Sequence, residues 1–362
     1  MRIRKQIRHQ ALKRKLPSLS KQIPIHQLQI WMRLTSLKEP MLMNNVNNRK
    51  PETLEFESKI IKHPLFKQAY QVIEQVQGSY QPLSSPPGLV TSIIGGAEPE
   101  GAVLLGNTGS GKSTLLKYFI RKNFVEGNDE SDRLRVFYVE VPHKATTKKL
   151  TTQMLRLLNS PRWMSGTEQV QLIELKQLLW ELGVELIIFD EINNLLPKNA
   201  GNSTVGICDF FKSLMNQTKI PLILSGTMDS EKVILSNEEL ADRLNAVQYL
   251  HYFSLAAKNA QHDHFRDYMG SIAKSIPIEC IDLTDEEMLK RFYIASSGIP
   301  RRISRIVSET LQYADLSSPL SMADFSKGYQ KALRRRAVLP NPFDPSYTAN
   351  DLLVIHADKV KK

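Results

Sequence analysis

The residues with the clearest chemical meaning form one short segment, Gly106-Asn107-Thr108-Gly109-Ser110-Gly111-Lys112-Ser113. The segment fits the pattern G-x-x-x-x-G-K-[ST], follows a predicted strand and opens a predicted helix. Its glycines permit a tight loop whose backbone N–H groups face phosphates, and the helix adds the positive end of its dipole. Lys112 is expected to reach the β- and γ-phosphates, and Ser113 to give a hydroxyl to Mg²⁺. The pattern therefore predicts a site for ATP and Mg²⁺, with these eight residues and Thr114 against the nucleotide.

A second chemical feature is the pair of acids that ends an apolar run, Leu186-Ile187-Ile188-Phe189-Asp190-Glu191. A buried strand that ends in two carboxylates, downstream of a phosphate loop, predicts a metal ligand followed by a general base. Asp190 is expected to hold Mg²⁺, and Glu191 to polarise the attacking water. Taken alone, the two acids could instead cap a helix, because helix N-termini favour acidic side chains.

The order of the strands narrows the class of nucleotide-binding protein. A predicted strand at 135–141 stands between the phosphate loop and the strand that ends in Asp190 and Glu191. Kinase-like phosphate-loop proteins usually place those two strands side by side and lack the adjacent glutamate, whereas ATPases with an inserted strand carry Asp-Glu together. The next strand ends in Leu224-Ser225-Gly226-Thr227, where a polar side chain can orient the water. Thr227 is the first choice for this catalytic role and Ser225 the second, and ordinary turn chemistry is the alternative.

The elements that must position these residues are strands and helices in alternation. Continuous apolar strands between helices predict an α/β fold with a central parallel five-stranded sheet that is covered on both faces. The strands are predicted at 102–105, 135–141, 185–189, 222–225 and 247–253. Helices that alternate with them are predicted at 55–77, 112–122, 146–158, 168–182 and 205–217. Beyond the last strand the pattern is helical, at 257–274, 284–296, 300–314 and 322–336.

Four parts follow from this pattern. They are a basic N-terminal arm over 1–54, an α/β ATPase domain over 55–254, a small helical lid domain over 255–336 and a tail over 337–362. The tail contains Pro340, Pro342 and Pro345, and we expect it to lie outside the core. A mobile tail that carries Asn341-Pro342-Phe343 would suit the docking of a partner protein.

Charge is distributed unevenly along the 362 residues, whose formal net charge is +11. Residues 1–50 hold twelve Lys/Arg and one acid, so the remaining chain is neutral. Such an arm is typical of a nucleic-acid-binding tail, and a solvated leader or an upstream translation start is the alternative. The sequence shows no apolar run of membrane-spanning length, and its two cysteines and eight histidines lack metal-ligand spacing. We therefore expect a cytoplasmic protein without a zinc site.

A second basic feature follows the predicted strand at 135–141. The segment from 143 to 149 leads into a helix and offers three lysines and two threonines, which are Lys144, Thr146, Thr147, Lys148 and Lys149. Lysines and hydroxyls at a helix N-terminus suit the phosphate backbone of double-stranded DNA and read no bases. A solvated helix surface is the alternative.

The ordered set of motifs resembles the TnsC/TniB family of AAA+ transposition regulators over about residues 57–345. Besides the phosphate loop and Asp190-Glu191, the resemblance rests on His63-Pro64, on Val139-Glu140-Val141-Pro142 and on Leu224-Ser225-Gly226-Thr227. It also rests on Ile299-Pro300-Arg301-Arg302-Ile303 and on Asn341-Pro342-Phe343. The family often has Asp-Glu-Ile-His, whereas this chain has Asn193 in place of the histidine, so the role of that position is open.

The resemblance implies a bacterial switch protein. ATP-bound subunits would assemble as a ring or helical filament around duplex DNA and connect a target-selection protein to the transposase. The target selector would be TniQ/TnsD-like or an RNA-guided complex, and hydrolysis would drive disassembly. Other AAA+ functions remain open: an ExeA-like secretion-associated ATPase, a replication initiator or helicase loader, and a nucleotide-gated scaffold with negligible hydrolysis.

Two arginines gain roles from the same resemblance. Arg243 lies just before the fifth strand, a place that in AAA+ proteins projects toward the neighbouring subunit, so it is expected to act as an arginine finger in trans. A surface salt bridge to Glu238 or Glu239 is the alternative. Arg301, in the family pattern G-x-P-R, is expected to touch the γ-phosphate of its own subunit.

Overall fold

The computed structural model describes residues 49–87, 98–126, 133–195, 202–255, 260–333 and 340–360. Most of the predicted basic arm, including residues 1–48, lies outside the described residues. Within them, strands and helices alternate in the predicted order. Helices are numbered here from the first described one.

A five-stranded sheet forms the centre of the fold, and all of its pairings are parallel. Its strands are β1 (Ala102–Gly106), β2 (Val136–Glu140), β3 (Leu186–Asp190), β4 (Leu222–Gly226) and β5 (Ala246–Leu250). Their spatial order is β2-β3-β4-β1-β5. The predicted sheet is therefore confirmed. Since β4 lies between β1 and β3, the phosphate loop and the acidic strand end are one strand apart.

Both faces of the sheet are covered because successive residues of a strand point to opposite sides. On one face, Phe137, Ile187 and Leu224 belong to a core that is closed by the helices of the chain's middle. On the other face, the neighbouring residues Tyr138, Ile188 and Ile223 belong to a second core. This alternation explains why β1, β2, β3 and β4 are almost wholly buried, whereas β5 at the sheet edge contains Gln248 and is partly exposed.

The helices of the first core are α4 (Thr147–Leu157), α5 (Glu168–Glu181) and α6 (Asn202–Thr218), and those of the second are α2 (Pro64–Gly78) and α3 (Lys112–Glu126). The short helices α7 (Glu231–Leu235) and α8 (Glu238–Ala241) precede β5. The predicted helix at 55–77 is divided into α1 (Pro51–Ser58) and α2, since a residue that precedes proline, here His63, disfavours helical backbone.

The C-terminal helices enclose a third core of their own. They are α9 (Ala260–Ser275), α10 (Glu286–Ser296), α11 (Pro300–Tyr313), α12 (Met322–Leu333) and α13 (Ala349–Val360). Helix α1 packs against α11, so the chain joins this helical unit before α2 joins the sheet. Arg49 supports that contact through ion pairs with Glu57 and with Glu309 of α11.

The expectation that the tail lies outside the core is wrong for Asn341-Pro342-Phe343. The Phe343 side chain has no exposed surface and packs against the ring of Phe292 with centroids 5.0 Å apart. The buried guanidinium of Arg291 donates to the carbonyl oxygens of Pro342, Asp344 and Tyr347. The five N–H donors of a guanidinium can hold in place a backbone segment that is neither helix nor strand. The sequence patterns that predict helices and strands do not detect such a segment.

The burial of Phe343 predicts a large loss of stability on truncation. We expect Phe343→Ala to lower the free energy of unfolding by about 3–5 kcal/mol, because it leaves a cavity among aromatic rings. The control is Val354→Ala on α13, whose side chain is 64% exposed and which should change stability little. Urea unfolding of both variants measures the difference, and equal stabilities would contradict the packing of the tail.

Candidate functional site

The phosphate loop joins β1 to α3 at the carboxyl edge of the sheet. Two of its glycines, Gly109 (φ +91°) and Gly111 (φ +105°), adopt left-handed backbone that side-chain-bearing residues rarely take. Residues 108–114 line an open cleft together with Glu191, Thr227 and Arg301. The structure therefore gathers into one cleft most of the residues predicted for nucleotide binding and hydrolysis.

Lys112 lies at the base of this cleft. Its ammonium Nζ donates to the carbonyl oxygen of Gly106 and, at 3.4 Å, to that of Asn107. Burial lowers the pKa of Lys112 below its usual value, while the carboxylates of Asp190 and Glu191 oppose that effect. A partly desolvated ammonium that has only backbone carbonyls as hydrogen-bond partners among the described residues is suited to binding a phosphate oxygen.

Asp190 ends β3 as a buried carboxylate that is only 2% exposed. Its Oδ2 accepts from the hydroxyls of Tyr138 at 2.9 Å and Ser113 at 3.3 Å. Its Oδ1 accepts from the Ser225 hydroxyl at 2.8 Å and from the Glu191 N–H at 2.9 Å. Ser113 and Asp190, the two predicted magnesium ligands, are therefore in contact.

Tyr138 is a residue at the site that was not predicted from the sequence. Burial is the largest cause that raises the pKa of Tyr138 above its usual value, and the Asp190 carboxylate raises it further. The phenol therefore stays protonated and is the donor in its hydrogen bond with Asp190. The sequence did contain a signal for this residue. Tyr138 brings a hydroxyl into an otherwise apolar strand, two residues before Glu140, which pairs with Asp190 in the sheet.

Glu191 has an unusual backbone for a residue with a side chain, since its φ is +61°. Its carboxylate lines the cleft, and its Oε2 accepts from the Asn193 side-chain amide at 3.2 Å. Asn193 is the position where the resembled family often has histidine, and here the side chain contacts the predicted general base.

Two polar residues at the end of β4, Thr227 and Ser225, were the candidates for orienting the attacking water. Ser225 is buried and binds Asp190, whereas Thr227 lines the cleft and lies 3.5 Å from the Ser230 hydroxyl. Thr227 thus has the position from which a side chain can contact water in the cleft. Its catalytic role stays a prediction.

Arg301 reaches the cleft from the helical unit. It is exposed, lines the cleft beside the phosphate loop, and donates its backbone N–H to the Gly109 carbonyl at 3.3 Å. A second contact was not predicted: the Tyr252 hydroxyl donates to the Thr108 carbonyl at 2.8 Å. The linker after β5 and the N-terminus of α11 therefore both touch the loop.

Arg243 does not line the cleft of its own chain. Its guanidinium Nη1 lies 3.2 Å from the Glu98 carboxylate, and its side chain is 18% exposed. The expected alternative partners were Glu238 and Glu239, but Glu239 pairs instead with Lys212 at 2.6 Å. The position away from the cleft is compatible with a role in trans, which remains a prediction.

The predicted DNA-binding segment forms an exposed corner after β2. Lys144, Thr146, Lys148 and Lys149 are exposed, and Thr147 is half-buried. Thr146 caps α4, because its hydroxyl accepts from the Lys149 N–H at 3.3 Å. Lys149 Nζ donates to the Lys144 carbonyl at 3.3 Å. The segment is thus a structured, cationic helix start.

Comparison with protein-family models finds a similarity over the central part of the chain. Residues 94–253, which span the sheet and its phosphate loop, match the family model of the bacterial TniB protein. The predicted resemblance to the TnsC/TniB family is confirmed. No curated protein sequence matches the chain.

Solved structures of AAA+ ATPases share the fold of this chain. Cdc6p from Pyrobaculum aerophilum superposes with a TM-score of 0.53 at 17% identity, over 77% of this chain and 71% of that one. The ORC2 protein from Aeropyrum pernix superposes with a TM-score of 0.54 at 13% identity, over 79% and 72%. The predicted AAA+ fold is therefore confirmed, and such identities carry no more than the fold.

The residues at the cleft fit ATP and Mg²⁺. The Ser110 hydroxyl is buried in the phosphate loop without a hydrogen-bond partner, and the left-handed glycines leave the loop free of side-chain bulk. Among the described residues, no group of three or more His, Cys, Asp or Glu side chains is placed so that it could hold a metal ion by itself. Ser113 and Asp190 would hold a magnesium ion that takes its other oxygens from phosphate and water, as Mg²⁺ prefers.

His63 lines the same cleft, and its pKa lies well below the usual value for histidine. It is 5% exposed, and its Nδ1 has no hydrogen-bond partner. Desolvation by burial, with a smaller effect from His264, lowers its pKa to about 4. The folded protein therefore keeps the ring neutral at pH values where the unfolded chain binds a proton.

This difference predicts a loss of stability in mild acid. Between pH 6.5 and pH 4 the unfolded state binds the extra proton, so stability falls as the pH falls, by about 2 kcal/mol at pH 5 relative to pH 7. His63→Leu should remove this part of the pH dependence. Urea unfolding of both proteins at the two pH values measures it, and an equal fall would show that other groups cause the loss.

Proposed function

We propose that this chain is an ATP-dependent, DNA-binding regulator of transposition that assembles on duplex DNA and connects target selection to the transposase. The carrying observation is the TniB match over residues 94–253, which contain the phosphate loop, Asp190 and Glu191, and the cationic corner after β2. A target-selection protein, TniQ/TnsD-like or RNA-guided, and transposase subunits would be its partners. Hydrolysis would return the assembly to free subunits in the bacterial cytoplasm.

The arrangement of charges supports DNA backbone binding. Lys144, Lys148 and Lys149 are close together, and none is paired with a carboxylate within the described part of the chain. A closed ring or helical filament of identical subunits would repeat this corner along one duplex. Repeated contacts to phosphate give affinity without base readout, as a protein that accepts many target sites requires.

The nucleotide site supports an assembly that depends on ATP. Glu191 would act as general base, with Thr227 beside the water and Lys112 and Arg301 on the phosphates of the same subunit. Arg243 would complete the site of a neighbouring subunit, for which its contact with Glu98 must give way to the γ-phosphate. A site completed across a subunit boundary makes bound ATP a condition for assembly.

Among the described residues, no helix combines the length and the apolar character that crossing a membrane requires. The similarity to Cdc6p and ORC2 concerns the fold alone, whereas the TniB match is a similarity of sequence. For this reason the transposition function is the one we propose.

Replacement of Glu191 tests the proposed link between hydrolysis and assembly. Glu191→Gln should keep ATP binding, lower hydrolysis by about 10²–10⁴-fold and trap the DNA-bound assembly, because the general base is removed while the phosphate contacts remain. Sedimentation with duplex DNA and ATP measures assembly, and phosphate release measures hydrolysis. The matched control is Glu239→Gln on α8, which should behave like the unmodified protein. No change in particle size with DNA and ATP would rule out the proposed assembly.

A second prediction concerns the lysines. Replacement of Lys144, Lys148 and Lys149 by Ala should weaken DNA binding similarly for all sequences and lower its salt slope by about 1 for each phosphate that the variant no longer binds. A control with the same change in charge replaces Lys67, Lys232 and Lys327, which are exposed elsewhere. Fluorescence anisotropy at several salt concentrations compares the two. Equal slopes would assign these lysines to a solvated surface.

A further inference from the structure

The two oxygens of the Asp190 carboxylate have different surroundings. Oδ1 accepts from the Ser225 hydroxyl at 2.8 Å and from the Glu191 N–H at 2.9 Å, and the Ser225 side chain has no exposed surface. Oδ2 accepts from the Tyr138 hydroxyl at 2.9 Å and from the Ser113 hydroxyl at 3.3 Å. Ser113 lines the cleft, whereas Tyr138 and Ser225 are buried. Oδ2 is therefore the oxygen that lies beside the other predicted magnesium ligand.

The Ser113 hydroxyl depends on Oδ2 for its orientation. A hydroxyl carries one proton and two lone pairs, and Ser113 directs its proton to Oδ2 of Asp190. The lone pairs of Ser113 are then left for a metal ion. At 3.3 Å the bond is long for an O–H···O contact, so a small displacement of Oδ2 would end it. The carboxylate must therefore stay in place if Ser113 is to offer a lone pair to the metal.

Tyr138 makes the shorter contact with Oδ2 and is itself held by the core. Its ring is 8% exposed and belongs to the second core, together with Ile188 and Ile223. Parallel pairing of β2 with β3 places Tyr138 opposite Ile188 and Glu140 opposite Asp190. Strand register and packing together fix the position of the phenol oxygen. In metal sites, fixed hydrogen-bond partners of this kind orient the ligand in front of them.

We propose that Tyr138 is a positioning residue for the Mg²⁺ of bound ATP, because its hydroxyl holds Asp190 Oδ2 in the place from which Asp190 and Ser113 bind the metal together. The inference rests on the proposed function, since it needs ATP and Mg²⁺ at this cleft. Tyr138 does not line the cleft, so it acts through Asp190. Without the phenol, the long Ser113 bond would be the only described contact that holds Oδ2, and the carboxylate could turn about its fixed Oδ1.

The chain offers a matched control for the phenol. Tyr249 on β5 donates its hydroxyl to the Glu231 carboxylate at 2.6 Å, and neither residue lines the cleft. Tyr138→Phe and Tyr249→Phe each remove a phenol-to-carboxylate hydrogen bond from the same sheet and keep the aromatic ring. The variants differ in the carboxylate that loses its donor, which is Asp190 in one and Glu231 in the other. Urea unfolding without nucleotide checks that both variants fold.

The first experiment measures the Kd for a fluorescent, non-hydrolysable ATP analogue in EDTA and in excess Mg²⁺. The ratio of the Kd in EDTA to the Kd in Mg²⁺ reports the contribution of the metal alone. We expect Tyr138→Phe to lower this ratio about tenfold and to leave the Kd in EDTA unchanged, because the phenol acts only on a metal ligand. Tyr249→Phe should keep both values. An unchanged ratio, or an equal loss of affinity in EDTA and in Mg²⁺, would overturn the inference.

The second experiment follows phosphate release at saturating ATP while the concentration of free Mg²⁺ is varied. We expect Tyr138→Phe to need about tenfold more free Mg²⁺ for half-maximal release, with kcat restored at high Mg²⁺ because Glu191 and the phosphate loop are unchanged. A lower kcat with an unchanged Mg²⁺ midpoint would contradict the inference, since Tyr138 would then act outside the metal site. If the unmodified protein binds no ATP analogue, or binds it equally with and without Mg²⁺, the proposed function itself fails.

Discussion

One buried carboxylate organises the site. Asp190 lies at the end of the central sheet, where an unpartnered charge would cost several kcal/mol of stability. Four donors surround it, and they come from the neighbouring strands, the phosphate loop helix and the next residue of its own chain. Because the sheet must supply these donors to bury Asp190, the requirement for a buried charge also fixes Ser113 and Glu191 beside it.

The strand order makes this arrangement possible. In a parallel sheet all carboxyl ends lie at one edge, so β1, β3 and β4 deliver the phosphate loop, the acids and Thr227 to one cleft. The intervening strand β4 places Ser225 against Asp190. Strand β2 ends at the same edge and continues through Val141, whose N–H donates to the Asp190 carbonyl at 2.8 Å, into the cationic corner.

The sheet could be predicted from the sequence because the signal for each strand lies within a few neighbouring residues. Four of the five strands are short, mostly apolar runs, and the phosphate loop has a recognisable spacing of glycines, two of which adopt left-handed backbone. Contacts between distant segments escaped prediction: Tyr138 with Asp190, Tyr252 with Thr108, and Arg243 with Glu98. Such pairs depend on register and on loop paths, which no periodicity encodes. The burial of Phe343 escaped for a related reason, since its segment is held by the Arg291 guanidinium without regular structure of its own.

The helical unit contacts the cleft from two directions, which bears on how bound nucleotide is sensed. Arg301 and Tyr252 touch the phosphate loop, while His63 reaches the cleft from the segment between α1 and α2. Helix α1 is bound to α11, and α2 is packed on the sheet. The segment that carries His63 therefore connects the helical unit to the sheet beside the cleft. Because the His63 ring packs against Phe66 of α2 and Tyr268 of α9, one aromatic contact joins the two units at the cleft that holds the phosphate loop.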